Sequence, residues 1–308
     1  MKNRAKTIVV CIILISIQVV FGQTVPTSII SDDEIKLVTN DTIRHLNIPE
    51  RLENAIGGSE FVNQVTGWSI IDREKAIVKE IMSGNMPAFS RKLQPLKITT
   101  EVDSESYELV LFTTIDYITI GSDEDYLYIP MTPSTAQYLA DTMNCLLPTK
   151  KIVDIIYSKA AVKLVPQPIP PSDTMTTLPV FRQHTDSIKY QMQHMGFERS
   201  ADPIIAGHKK DIIISNKMYP AEGTSERVVI YGWHFGENQP IQPVYNGHHA
   251  GYADYSHGTR LISKFAFING DTMLVEDILK HQKLSILLSN EGIIPKLNYP
   301  KNALFTKE

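Results

Sequence analysis

Four short runs rich in β-branched and aromatic residues, Lys97 to Val102, Tyr107 to Thr114, Tyr117 to Gly121 and Tyr126 to Pro130, are separated by the polar turns Asp103-Ser104-Glu105-Ser106 and Ser122-Asp123-Glu124-Asp125. Runs this short and this closely spaced predict an antiparallel meander. Helical spacing then takes over, from Ser134 to Met143 and again from Thr149 to Ala161, with Leu147-Pro148-Thr149 as the break between them. A block of strands followed by a block of helices implies an α+β fold rather than the regular alternation of a parallel α/β sheet. Two small helices open the fold: Gly57-Gly58-Ser59 caps one through Val65, and Asp72 caps another from Arg73 to Met82.

The prolines at 166, 168, 170 and 171 form an extended connector and the best candidate for a subdomain boundary. It divides an N-terminal α+β subdomain over 42–165 from a His-rich C-terminal subdomain over 172–308. Beyond it, Leu178 to Met195 reads as a helix, and Ile212 to Ile214, Arg227 to Trp233 and Leu261 to Phe267 read as strands. Ile268-Asn269-Gly270-Asp271 reads as a hairpin turn, followed by a mostly helical stretch from Val275 to Leu288. The whole is expected to be antiparallel strands with several helices, and a mixed sheet in the C-terminal half.

The N-terminus sets the expected compartment. Lys2, Arg4 and Lys6 precede the apolar run Ile8 to Phe21, and Gly22 supplies a small residue at the end, the pattern of a secretory signal peptide over 1–22 cleaved near Gln23. That run is shorter than the ~20 residues of a membrane-spanning helix, and no later segment approaches that length, so no integral membrane segment is expected in the mature chain. Residues 23–41 have no sustained period and are expected to be a flexible leader. The expected location is secreted or periplasmic, in the cell envelope. A formal charge of −4 without a long basic cluster argues against nucleic acid as a partner. Cleavage also removes Cys11 and leaves Cys145 alone, so the mature fold has no intramolecular disulfide to rely on.

Five of the nine histidines fall between His208 and His257, together with Asp211, Asp254 and several aromatics. Imidazole is the commonest transition-metal ligand and the group whose proton moves near neutral pH, so this window is where chemistry is expected. Gly207-His208-Lys209-Lys210-Asp211 enters the apolar triplet Ile212-Ile213-Ile214, a strand end where a sheet can fix catalytic groups. In Ile230-Tyr231-Gly232-Trp233-His234, strand alternation predicts Ile230, Gly232 and His234 on one face and Tyr231 and Trp233 on the other. Within Gly247 to Gly258, His248 and Asp254 share a face if the chain is extended, and His257 reaches Asp254 if it turns near Ser256. His248-x-x-Gly251-x-Ala253-Asp254 resembles the His-x-x-Gly-x-Ala-x-Asp zinc motif of the D-alanyl-D-alanine peptidases, but is one residue shorter before the aspartate. The later Glu and His of that family have no counterpart at recognisable spacing, and the resemblance covers seven residues.

These residues point to an exported hydrolase acting on an extracytoplasmic polymer, peptidoglycan peptide or a glycan, with His208, Asp211, His248, Asp254 and His257 as its centre. Such a set can act directly as acid and base, or His248, Asp254 and His257 can hold a divalent metal such as zinc with an open water position. Trp233, Tyr252 and Tyr255 are candidates to stack on substrate, and Arg260 to hold a carboxylate. Two alternatives stand beside this one. Cys145, ahead of a helix N-terminus, can serve as the nucleophile of a cysteine hydrolase with His257. The aromatic and histidine-rich face can also belong to a non-catalytic secreted module that binds glycan or protein.

Overall fold

The computed structural model describes residues 44–197, 202–219 and 226–300. The signal peptide and leader expected over 1–22 and 23–41 lie outside the described residues. Helix α1 (Gly58–Val65) is followed by α2 (Ile70–Met82). The second helix starts before Asp72, because Ser69 is its cap: the Ser69 hydroxyl accepts from the Asp72 amide and donates to the Asp72 carboxylate. Such a reciprocal pair satisfies a backbone donor that a helix start otherwise leaves unpaired.

Strands β1 (Leu93–Val102) and β2 (Glu105–Thr114) form a long hairpin in which Val102 faces Glu105. Its two turn residues, Asp103 and Ser104, both have positive φ, as the tightest hairpin turns require. Among the described residues, strands β3 (Thr119–Gly121) and β4 (Tyr126–Tyr128) pair only with each other, so the expected meander is two ribbons in separate sheets. Next come α3 (Pro133–Thr142), β5 (Cys145–Leu146), α4 (Lys150–Lys159) and β6 (Val162–Lys163), with Thr132 and Thr149 as side-chain caps of the two helices. After the proline-rich connector lie α5 (Leu178–His194), β7 (Ile205–Ala206), β8 (Lys210–Ile212), β9 (Ile230–Gly236), β10 (Gln239–Tyr245) and β11 (His257–Gly258). The described chain closes with β12 (Ile262–Ser263), β13 (Phe265–Ile268), β14 (Asp271–Leu274), α6 (Val275–Lys280) and α7 (Ser285–Leu288). The expected turn between β13 and β14 is present, with Asn269 and Gly270 both at positive φ.

The architecture is α+β, with seven helices among the described residues. In the six-stranded sheet, β2 pairs with β1 along one edge and with β12 and β13 along the other. The mixed sheet of the C-terminal half has the order β10-β9-β8-β11, antiparallel except for the parallel β8–β11 pair. Strand β10 has no counterpart in the sequence reading, since Pro240 and Pro243 interrupt it; it lies at the sheet edge, where a missing backbone donor is tolerated.

The connector does not separate two cores. Strand β2 from before it pairs with β12 and β13 from after it, β6 pairs with β7, and one buried cluster extends from Leu46 to Tyr299. The connector is instead fastened to the loop before β11: the Tyr255 hydroxyl donates to the Ile169 carbonyl and accepts from its amide. No helix among the described residues is long and apolar enough to cross a membrane.

Candidate active site

The mixed sheet sorts the predicted residues by face. Lys210 lies opposite both Gly232 and His257, while Asp211 lies opposite Tyr231 and Gly258. Residues directly opposite share a face and successive residues alternate, so His257 and Lys210 project to one side and Asp211 and Tyr231 to the other. The proposed five-residue centre is thereby divided by one step along β8.

On the first face, His257, Asp254, His248, Tyr252 and Lys210 gather. His257 Nε2 is 4.0 Å from Asp254 Oδ2, and the Tyr252 hydroxyl donates to the same oxygen at 3.1 Å. The Ser256 amide and hydroxyl both donate to Asp254 Oδ1, at 2.8 and 2.5 Å, which fixes the carboxylate and makes the turn that brings His257 back. The His248 ring stacks on Tyr252 with centroids 4.1 Å apart, and Tyr252 meets His257 edge-on at 5.8 Å. Lys210 Nζ sits 5.0 Å from the Trp233 ring centroid. His257 is fully buried, and neither ring nitrogen has a hydrogen-bond partner among the described residues.

Burial drives the His257 imidazole down to about 4 against the pull of Asp254, so it is neutral at pH 7 and free to accept a proton. Burial works to raise the Asp254 carboxyl, but the facing His257, the Ser256 hydrogen bonds and the charge of Lys210 overcome it and hold the group below its ordinary value. Tyr252 is raised by burial and by Asp254, which keeps its hydroxyl protonated. His248 and His257 are 6.4 Å apart between centroids with the Tyr252 ring packed against both. Among the described residues no three His, Cys, Asp or Glu side chains stand so as to hold a metal ion, and the expected His248, Asp254, His257 trio is no exception. Tyr252 also lines a surface cleft of about 750 Å³, shared with His249, Gly251 and Thr176 and, from the N-terminal half, with Trp68 and Arg73.

His208 and Asp211 lie in the protein interior, away from that cleft. His208 is fully buried between Tyr117 and Tyr128, with Nε2 3.1 Å from Asp116 Oδ1. Asp211 accepts from the Tyr117 hydroxyl at 2.8 Å, and burial raises its carboxyl to about 6 although Arg260 and the Tyr117 hydroxyl pull it down. Lys209 joins the two regions. Its ammonium is within 3.0 Å of His184 Nδ1 and donates to the Tyr255 carbonyl at 2.6 Å, and burial lowers it to about 7 while Asp254 and Asp116 work against the shift.

A separate arrangement surrounds His234. Its Nε2 is 3.5 Å from Asp154 Oδ1, which also accepts from the Tyr231 hydroxyl at 2.6 Å, and its ring stacks on Tyr157. Tyr231 and His234 thus reach one carboxylate, contrary to the alternation expected of a regular strand. The cause is local: Gly232 and Trp233 have φ of +112° and +60°, and two successive left-handed residues reset the side-chain direction.

The other candidates are placed as follows. Arg260 is buried, with its guanidinium donating to the Thr114 and Ile205 carbonyls and lying over the Tyr117 ring, so it supports β2 and β7 and does not face a substrate. Trp233 and Tyr255 are buried against His184, whereas Tyr252 reaches a cleft. Cys145 pairs opposite Ser263 in the six-stranded sheet, and its thiol donates to the Met143 carbonyl. Burial pushes that thiol up to about 12, the reverse of what a helix N-terminus was expected to do. Reasoning from the sequence missed Asp116 and Asp154, which come from the other half of the chain, and His184, which lies on α5 ahead of the histidine-rich window. Asp116 did carry a signal, as an acid between Ile115 and Tyr117 in an apolar run. Comparison of the chain with protein-family models, curated proteins and solved structures finds no match.

Proposed function

We propose that the protein is an exported hydrolase of an extracytoplasmic polymer, peptidoglycan peptide or glycan, and that His257 and Asp254 form the core of its active centre. The observation that carries this reading is the gathering of a buried neutral imidazole, a fixed carboxylate, a protonated phenol and Lys210 on one face of a rigid sheet. His257 Nε2 faces Asp254, which leaves Nδ1 to take a proton from an attacking water, and Asp254 stabilises the imidazolium that results. Lys210 supplies positive charge toward a developing oxyanion. The Tyr252 hydroxyl stays protonated and orients Asp254, and the proton that His257 takes from water is returned to the leaving group. Tyr252 lies between the cleft that it lines and the buried His257.

Incubating the purified protein with a panel of cell-envelope polymers, and assaying both new reducing ends and new amino groups, tests the proposal. Wild type releases one of the two and Asp254→Asn does not. Saturable binding of a polymer without release of either product favours a non-catalytic binding module and overturns the hydrolase reading.

A further inference from the structure

We propose that Trp68 is a carbohydrate-stacking platform at the mouth of the cleft, and that the polymer bound there is a neutral glycan chain and not a charged peptide. The proposal rests on the assignment of that cleft to substrate and narrows the substrate class. Trp68 comes from the turn between α1 and α2, far in sequence from the histidine-rich window, yet lines the same cleft as Tyr252. Trp68 is 52% exposed, whereas the chain's other tryptophan, Trp233, is buried.

The backbone beneath the indole is held firmly. Gly67 takes φ of +85°, the Trp68 amide donates to the Val65 carbonyl at 3.1 Å, and Ser69 caps α2. A large aromatic on a fixed backbone offers contact area at low entropic cost. The lining explains the choice of ligand. Among the described residues Arg73 is the only Lys, Arg, Asp or Glu on it, and its guanidinium is committed to the Thr176 carbonyl, to Glu74 and to the Phe181 ring. Within this cleft a peptide rich in carboxylates and amines would lose hydration and gain no counter-charge; Asp72, Lys75, Lys79 and Glu80 line a second groove that Trp68 also borders. A neutral pyranose presents an apolar C–H face to the indole and to Tyr252 and its hydroxyls to Thr174 and His249.

The test uses the two-tryptophan spectrum of the full chain. Asp254→Asn protein, which cannot consume the probe, is titrated with chitohexaose and with cellohexaose while tryptophan emission is followed. The expected result is a saturable change with at least one of them. Adding Trp68→Phe should remove the signal, and adding Trp68→Ala should weaken binding about tenfold by calorimetry, equivalent to about 1.4 kcal/mol. Equal affinity with and without Trp68, or no saturable binding of either saccharide, overturns the proposal. So does a fall in sedimentation coefficient on Trp68→Ala, which would make the indole a contact between copies of the chain. The two readings fail separately. Polymer hydrolysis with KM unchanged by Trp68→Ala sinks the platform alone, while Trp68-dependent binding of a saccharide with no turnover of any polymer sinks the hydrolase alone.

Discussion

Lys209 and Lys210 show how two adjacent residues of one type can take opposite environments. In the sequence they are two adjacent lysines beside a histidine, and nothing local distinguishes them. In the fold Lys210 faces the candidate centre while Lys209 is buried among His184, Tyr128 and the Tyr255 carbonyl. Its amine is lowered to about 7, against an unfolded value of about 10.4. Between those values the unfolded chain binds the proton and the folded chain does not. Stability therefore rises with pH from 7 toward 9, by up to about 1.4 kcal/mol per pH unit, and is lost as pH falls toward 7. Urea midpoints across that range should show this slope in wild type and lose it in Lys209→Met; an identical slope in both would place the amine in solvent. Cys145 makes the complementary case. Cys145→Ala should cost about 1 to 2 kcal/mol and leave hydrolysis unchanged, and native protein should resist alkylation that the unfolded chain undergoes readily. Of the site, the pairing of Asp254 with His257 was legible, because Ser256 can bond back to Asp254 and turn the chain. The division of Asp211 from His257 was not, since it depends on a parallel register between β8 and β11 that no local pattern specifies.

At the scale of elements, period and capping residues located most helices to within a few residues. Thr132, Thr149 and Ser69 each accept a backbone hydrogen bond where a helix begins. Strands were legible where turns marked them, as at Asn269-Gly270, and were missed where proline interrupted an edge, as in β10. Strand β9 shows the limit of strict alternation. A glycine in a strand signals close approach or a bulge, but the left-handed φ of Trp233 after it has no sequence signature. That pair aims His234 at Asp154. Gly232→Ala should destabilise the protein by about 1 to 3 kcal/mol, because alanine is strained at φ of +112°, and should pull His234 away from its carboxylate. Chemical denaturation measures the first effect and the His234 proton resonance the second. A variant as stable as wild type with an unshifted resonance would show that the backbone there is not constrained.

For the whole molecule, the proline-rich connector looked like a boundary because proline and extended sequence mark linkers in general. The shared six-stranded sheet makes it a strap across one folded unit, with β2 holding strands from the far side of it. Calorimetry of the full chain should give a single cooperative transition with equal calorimetric and van't Hoff enthalpies, and two resolved transitions would restore the two-subdomain reading. The same continuity lets an N-terminal turn carrying Trp68 and a C-terminal loop carrying Tyr252 line one cleft. The central claim concerns what lies behind that cleft, and the measurement that reaches it most directly is a mutant cycle on kcat/KM for polymer hydrolysis. Asp254→Asn and His257→Ala should each lower it by about 100-fold or more with unchanged denaturation midpoints, and the double variant should be little worse than either, because groups acting as a unit give non-additive losses. Full activity in the double variant would contradict the assignment and leave Gly247 to Gly258 an ordinary loop.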